Sequence, residues 1–176
     1  MSVSIFLDRD GTLIEDAGYI SSPDDVRVLP GVVQGLQLFR ENNYRLHLVS
    51  NQSGLARGKF SQVDFEQVEK RVTAIFLASG IEFDTVHYCF HGPEGNCTCR
   101  KPKPGLLEQV AKTEVIDKNL SAMIGNSESD KGAAAAFGIP YWDVNDETEL
   151  RESQGPFEFQ ATQVVAYFGG VLNELG

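Results

Sequence analysis

The chain has no long hydrophobic run, no internal repeat, no low-complexity tract and no stretch that reads as a linker. Its apolar runs fall far below the roughly 18 residues that suggest a membrane span, so no membrane partner is expected. Met1-Ser2-Val3 enters an apolar stretch with neither a basic region nor a small-residue cleavage site, so no secretory leader is expected either. Cysteine is scarce and odd in number, three residues, which argues against a disulfide framework and for a reducing, cytoplasmic setting. Positive charge is in deficit too, with 15 Lys and Arg against 25 Asp and Glu and a net charge of -10. Nucleic-acid affinity comes largely from Lys and Arg neutralising phosphates, so nucleic acid is excluded as an expected partner. The chain is expected to work as a monomer on a small solute.

What is present is material for a core. With 41% hydrophobic residues in 176, the chain can bury one sizeable core but hardly two, so residues 1–176 read as a single domain. Val3 to Leu7 is a short apolar run ended by DRDGT, the pattern of a buried strand that delivers polar groups to a loop. A helix follows from Gly31, with Val32, Leu36 and Phe39 on one face and Asn42-Asn43 as its stop. Arg45 to Val49 reads as a second strand leading to SNQSG, and Ser61-x-x-Asp64 resembles a capping box ahead of the stripe Phe65, Val68, Val72, Ile75, Phe76. Phe83 to Phe90 and Ser121 to Ile124 read as further strands, with a helix from Pro104 through Lys112 between them. Lys131 to Phe137 is expected to be a short helix closed by Gly138, Ile139 to Val144 a fifth strand, and Val164, Phe168, Val171, Leu172 and Leu175 one face of a last helix. Alternating strands and helices imply an α/β fold of three layers, with a mainly parallel sheet covered on both faces.

Ligands in such sheets sit beyond the carboxyl ends of the strands, and polar motifs follow four of these strands. They are DRDGT, SNQSG, the segment CFHGPEGNCTCRKPKPG and GNSESD, and they should meet at one edge. Six basic residues, Arg9, Arg57, Lys59, Arg100, Lys101 and Lys103, fall in three short segments, and their convergence would make a local anion pocket on an acidic surface. Asp8 and Asp10 are two carboxylates close enough to need a cation, and an oxygen-rich site of this kind suits Mg²⁺. Cys89, His91, Cys97 and Cys99 offer three thiolates and an imidazole, a complete tetrahedral set for structural Zn²⁺; iron is compatible by ligand type, although such sites usually hold zinc. His47 and His87 have no ligand partners at useful spacing and read as structural, and Trp142, the methionines and the helical aromatics as packing.

In this order and at these spacings, DRDGT, SNQSG, the Lys of RKP and GNSESD resemble the four motifs of the haloacid dehalogenase superfamily of phosphohydrolases, over roughly residues 3 to 145. The resemblance implies a Rossmann-like fold in which Asp8 attacks phosphorus to form an aspartyl-phosphate and Asp10 serves as general acid, then base. It gives Ser50 and Lys101 the phosphoryl oxygens and makes Asp8, Asp10 and residue 126 the Mg²⁺ ligands. Here the chain departs from the pattern: Asn126 stands where the superfamily usually has Asp, so weaker metal affinity is expected, with Asp130 or Glu128 compensating. The zinc loop would hold Arg100 and Lys101 over the phosphate pocket. No stretch between the motifs is long enough for a cap domain, so the site is expected to be capless and open.

Two branches of the superfamily carry such a zinc loop before RKP. GYI, LPG and NQSGLARGKF resemble the heptose bisphosphate phosphatases, which implies removal of the 7-phosphate of D-glycero-D-manno-heptose 1,7-bisphosphate. The five-residue spacer between His91 and Cys97 is also found in the histidinol-phosphate phosphatases. The heptose resemblance puts Asp16 to Tyr19, Ser50, Asn51, Gln52, Ser53, Arg100, Lys101 and Ser127 around a small phosphorylated metabolite, with Arg100 reading the second phosphate and Arg57 and Lys59 as weaker candidates. Two other classes stay open: a phosphosugar-binding regulatory protein that does not hydrolyse, and a zinc-dependent nucleic-acid module that fits the Cys/His spacing but not the charge.

Overall fold

The structure is a computed structural model, and it describes residues 1–145 and 161–165. Five strands, β1 Ser4–Leu7, β2 Arg45–Asn51, β3 Thr85–Cys89, β4 Ala122–Gly125 and β5 Tyr141–Asp143, form one sheet in the order β3-β2-β1-β4-β5. Every neighbouring pair is parallel. The helices are α1 Val32–Glu41, α2 Gln62–Ala78, α3 Gly105–Ala111 and α4 Glu128–Phe137, with one turn of 3-10 helix at Pro23–Asp25.

The alternation of side chains along β1 divides the core into two layers. Ile5 and Leu7 face Val32, Leu36 and Phe39 of α1 and Val68, Val72 and Phe76 of α2. Phe6 points the other way, toward Leu106, Leu107 and Val110 of α3 and Ala133, Ala134 and Phe137 of α4. Every residue of β1 is buried, as expected of a strand with helices on both faces. Each fully buried large apolar side chain contributes about 1.5–3 kcal/mol over leaving it in water. The sandwich thus forms from the pattern that the sequence displays, and the described residues hold no second sheet.

Element ends differ from the expected ones where side chains replace backbone pairing. β3 starts two residues late because the Asp84 carboxylate, rather than a ladder carbonyl, accepts the Leu46 amide at 2.8 Å. α4 starts three residues early, at Glu128, because Ser127 and Asp130 form a capping box, the same device that Ser61 and Asp64 form at α2. The expected C-terminal helix lies outside the described residues except for 161–165, which are helical and bury Ala161 and Val164 in the α1 and α2 layer. No helix among the described residues is long and apolar enough to cross a membrane.

Candidate active site

Strand order reverses at β1: the chain steps outward through β2 and β3, then returns to place β4 on the other side of β1. Loops leaving β1 and β4 therefore diverge, and a crevice opens beyond their carboxyl ends. A polar cavity of about 230 Å³ lies there. Asp8, Asp10, Asp16, Ser50, Asn51, Lys101, Asn126 and Ser127 line it, so most of the expected residues meet; Gly18 and Ser129 complete the wall. Gly11 has φ of 77°, and a Cβ there would stand 2.0 Å from the Asn126 amide nitrogen, so only glycine lets the turn after β1 lie against Asn126.

Lys101 is buried at the floor. Its ammonium donates to Asp8 at 2.7 Å and to the Val49 carbonyl at 2.8 Å, and forms an ion pair with Asp130 at 2.6 Å. Asn51 clips the Lys101 backbone from both sides, accepting from its N–H and donating to its carbonyl, each at 3.1 Å. Burial pushes the Asp8 carboxyl up to about 6; Lys101 pulls against that, while Asp130 and Asp10 add to it. Burial alone would lower Lys101, but Asp8 and Asp130 together raise it, so the lysine stays charged. Asp8, Asp10 and Asp130 outnumber the two buried cations beside them, Lys101 and Arg9, and the donors facing the cavity, Asp8, Asp10 and the amide of Asn126, offer oxygen to a hard divalent cation. The residues present therefore fit a magnesium-type ion.

Two expected metal helpers do not take that role. Asp130 is wholly buried: one oxygen faces Lys101, and the other accepts from the Ser127 hydroxyl at 2.7 Å and from the Ser127 and Asn126 amides at 3.2 and 3.3 Å. It positions the lysine and caps α4. Glu128 is 91% exposed on α4 and faces Lys131.

Basic residues also sort differently from the expected convergence, for Lys101 alone of the six lines the cavity. Arg9 is buried and turned inward, where it pairs with Asp10. Arg57 donates to the Tyr19 hydroxyl at 3.0 Å, and the Lys59 ammonium sits 5.9 Å from the centre of the Tyr19 ring, an exposed cluster beside the site. Arg100 donates to the His91 carbonyl at 3.2 Å and Lys103 to the Cys97 carbonyl. These two cations tie down the Cys/His loop. Of the other expected substrate residues, Tyr19, Gln52 and Ser53 do not line the cavity; Gln52 is buried behind it, donating to Asp10 at 2.7 Å and to Ser50 at 3.1 Å.

The ligand atoms of Cys89, His91, Cys97 and Cys99 all lie within 4.8 Å of one another. Cys89 sulfur stands 3.1 Å from Cys99, 3.8 Å from Cys97 and 3.5 Å from His91 Nδ1, and Cys99 stands 3.3 Å from that nitrogen. Ligands on a zinc tetrahedron stand about 3.5–3.8 Å apart, given metal distances of about 2.3 Å to sulfur and 2.0–2.1 Å to nitrogen. Burial, with Cys99 and Cys97 adding, pushes the Cys89 thiol up to about 12, so a thiolate set in this place calls for a cation. The cluster can hold a metal ion, with Nδ1 as the imidazole donor. Its loop presses on α3, where a Cβ on Gly105 would stand 2.3 Å from the Thr98 carbonyl oxygen.

The family model described as polynucleotide kinase 3 phosphatase matches residues 3–141. Two curated relatives, the D-glycero-beta-D-manno-heptose-1,7-bisphosphate 7-phosphatases of Helicobacter pylori and Pasteurella multocida, are 41% and 42% identical over 128 and 136 residues. Those alignments cover 72% and 74% of this chain and 74% of each relative. A solved structure of D,D-heptose 1,7-bisphosphate phosphatase from B. bronchiseptica, complexed with magnesium and phosphate, superposes with a TM-score of 0.77 at 29% identity, covering 98% of this chain and 99% of that one. By the family model that matches residues 3–141 and by these relatives, the chain belongs to the polynucleotide kinase 3 phosphatase family of the haloacid dehalogenase superfamily of phosphatases.

Proposed function

We propose that the chain is a phosphoric monoester hydrolase that removes the 7-phosphate of D-glycero-D-manno-heptose 1,7-bisphosphate, acting through residues 1–176 as one unit. The observation that carries the reaction class is the buried Asp8–Lys101 pair at 2.7 Å on the floor of a polar cavity. The carboxylate of Asp8 attacks phosphorus in line with the sugar oxygen, and Asp10 donates a proton to that oxygen as the P–O bond breaks. Asp10, now a carboxylate, takes a proton from the water that attacks the aspartyl-phosphate, and Asp8 is released. As Asp8 spends its charge on the new bond, the Lys101 hydrogen that faced it turns to a phosphoryl oxygen, and Ser50 donates to another. Magnesium, when held by Asp8, Asp10 and Asn126, supplies the positive charge that lets a phosphate dianion approach a carboxylate. Zinc on Cys89, His91, Cys97 and Cys99 is the second metal of this reading, and three free thiols suit a reducing cytoplasm.

The substrate rests on the relatives named above, and on a polar cavity lined by Asp16, Ser50 and Ser127 in which hydroxyl and carboxylate groups can meet a sugar. A second reading, histidinol phosphate, is favoured by the five-residue spacer between His91 and Cys97. The two are separated by kcat/KM on each substrate. Heptose bisphosphate is expected to be preferred by at least about 100-fold; comparable or reversed values overturn the choice. Release of inorganic phosphate that vanishes in Asp8→Asn excludes a non-hydrolysing binding role.

A further inference from the structure

Arg9 is a charged side chain almost wholly sealed from water, and neither phosphate binding nor metal binding uses it. It is 2% exposed. Its Nε donates to Asp10 Oδ1 at 2.9 Å and its Nη2 to Asp10 Oδ2 at 3.1 Å, a paired contact that fixes both the place and the plane of the carboxylate. The same Nη2 donates to the side-chain oxygen of Gln52 at 3.0 Å, and the Gln52 amide returns to Asp10 Oδ2 at 2.7 Å and to Ser50 at 3.1 Å. Three side chains thus close a ring that links Asp10 to Ser50. The ring is anchored from outside the DRDGT turn. Glu69 of α2 stands 3.7 Å from Nη1, and the guanidinium carbon lies 5.9 Å from the Phe65 ring centre and 6.0 Å from that of Tyr88.

We propose that Arg9 is the positioning residue for proton transfer, with Gln52 as its second arm: together they hold Asp10 aimed at the departing oxygen. This rests on the role given to Asp10 above. Oδ2 accepts two hydrogen bonds and Oδ1 only one, so the ring leaves Oδ1 as the carboxylate oxygen with acceptor capacity to spare. Flexible placement of an acid forfeits much of the roughly 10²–10⁴-fold that general acid catalysis supplies.

Two substrates tell positioning from general damage. A sugar phosphate expels an alkoxide that needs the Asp10 proton, whereas p-nitrophenyl phosphate expels an anion that leaves unaided. In Arg9→Met, kcat for heptose bisphosphate is expected to fall about 30-fold or more with KM within about threefold, while the pre-steady-state burst of nitrophenolate stays within about threefold of wild type. Arg9→Lys, which keeps charge but loses the paired contact, should fall between the two. Gln52→Leu leaves the Arg9–Asp10 pair in place and should show the same selectivity at about fivefold, which covers the case in which Arg9→Met does not fold. Equal losses on alkoxide loss and on the burst, or no selective loss in either variant, overturn the proposal. Asp10→Asn, assayed like the others at saturating Mg²⁺ because Asp10 also faces the metal, is the reference: if it shows the selectivity and the Arg9 and Gln52 variants do not, the positioning role alone fails. If Asp10→Asn shows none, the reading of Asp10 as the acid fails with it.

Discussion

Replacing Asp130 with asparagine tests the floor of the site with the smallest possible change. Asp130 presents one oxygen to the Lys101 ammonium at 2.6 Å and the other to three donors, the Ser127 hydroxyl and the Ser127 and Asn126 amides. An asparagine has one oxygen and one NH₂. Either orientation turns that NH₂ toward a donor, so a buried N–H loses its partner and the lysine loses a counter-charge. At an effective dielectric of about 20, charges 2.6 Å apart attract by about 6 kcal/mol, most of which desolvation offsets. One unpaired buried donor costs about 1–3 kcal/mol, and exchanging a charge-assisted bond for a neutral one costs about 1 kcal/mol more. A loss near 3 kcal/mol is therefore expected, which at a slope of about 2 kcal/mol per molar urea moves the unfolding midpoint down by about 1.5 M. Because Lys101 is no longer held between two carboxylates, kcat/KM should fall at least about 100-fold at saturating Mg²⁺. Urea titration followed by circular dichroism and a phosphate-release assay measure both. A midpoint within about 0.3 M of wild type would refute the hydrogen-bond argument, and an unchanged Mg²⁺ half-saturation is expected, since Asp130 does not face the cavity.

Further outcomes follow from other parts of the fold. Burial holds His47 near 4, against the pull of Glu114 and Asp84 and with Arg45 and His87 acting in the same direction as burial. Above about pH 6.5 the imidazole is neutral both folded and unfolded and contributes nothing; as pH falls from there to about 4 only the unfolded chain gains the proton, so stability drops by up to about 3 kcal/mol. Urea midpoints should decline less steeply with acid in His47→Leu, and equal slopes would count against this. Treating the protein with a chelator and then restoring excess Mg²⁺ is expected to release zinc from the Cys/His cluster, read with a chromogenic dye, with activity declining in step; a zinc-free protein of full activity would show that the loop does not support Lys101. Asn126→Asp adds a full charge to the oxygen donors, so half-saturating Mg²⁺ should fall roughly tenfold, and an unchanged requirement would remove residue 126 from the metal site.

Much of this was legible because strand ends and helix caps are local events. The stripe from Phe65 to Phe76 and the box Ser61-x-x-Asp64 specify α2 without help from the rest of the chain. The clustering of Cys89, His91, Cys97 and Cys99 was legible for the same reason: they lie within eleven positions, so one loop can bring them together. Side-chain direction was not, because it depends on contacts across the fold. Asp130 reads as a metal helper in GNSESD, yet Lys101, far away in sequence, captures it. The clue was available, since Ser127-x-x-Asp130 repeats the capping pattern of Ser61 and Asp64. Arg9 reads as part of an anion pocket until Phe65, Glu69 and Tyr88, from two other elements, enclose it. Gln52 likewise reads as a substrate contact, although its amide serves two other side chains.

The measurement that bears most directly on the account is the mass of the peptide containing Asp8 after rapid acid quench during turnover. A gain of one phosphoryl group on that aspartate, formed at a rate at least equal to kcat and missing in Asp8→Asn, is the expected result. Turnover that proceeds at full rate while the peptide never carries the group, with the phosphate instead found on another residue or on none, would contradict it.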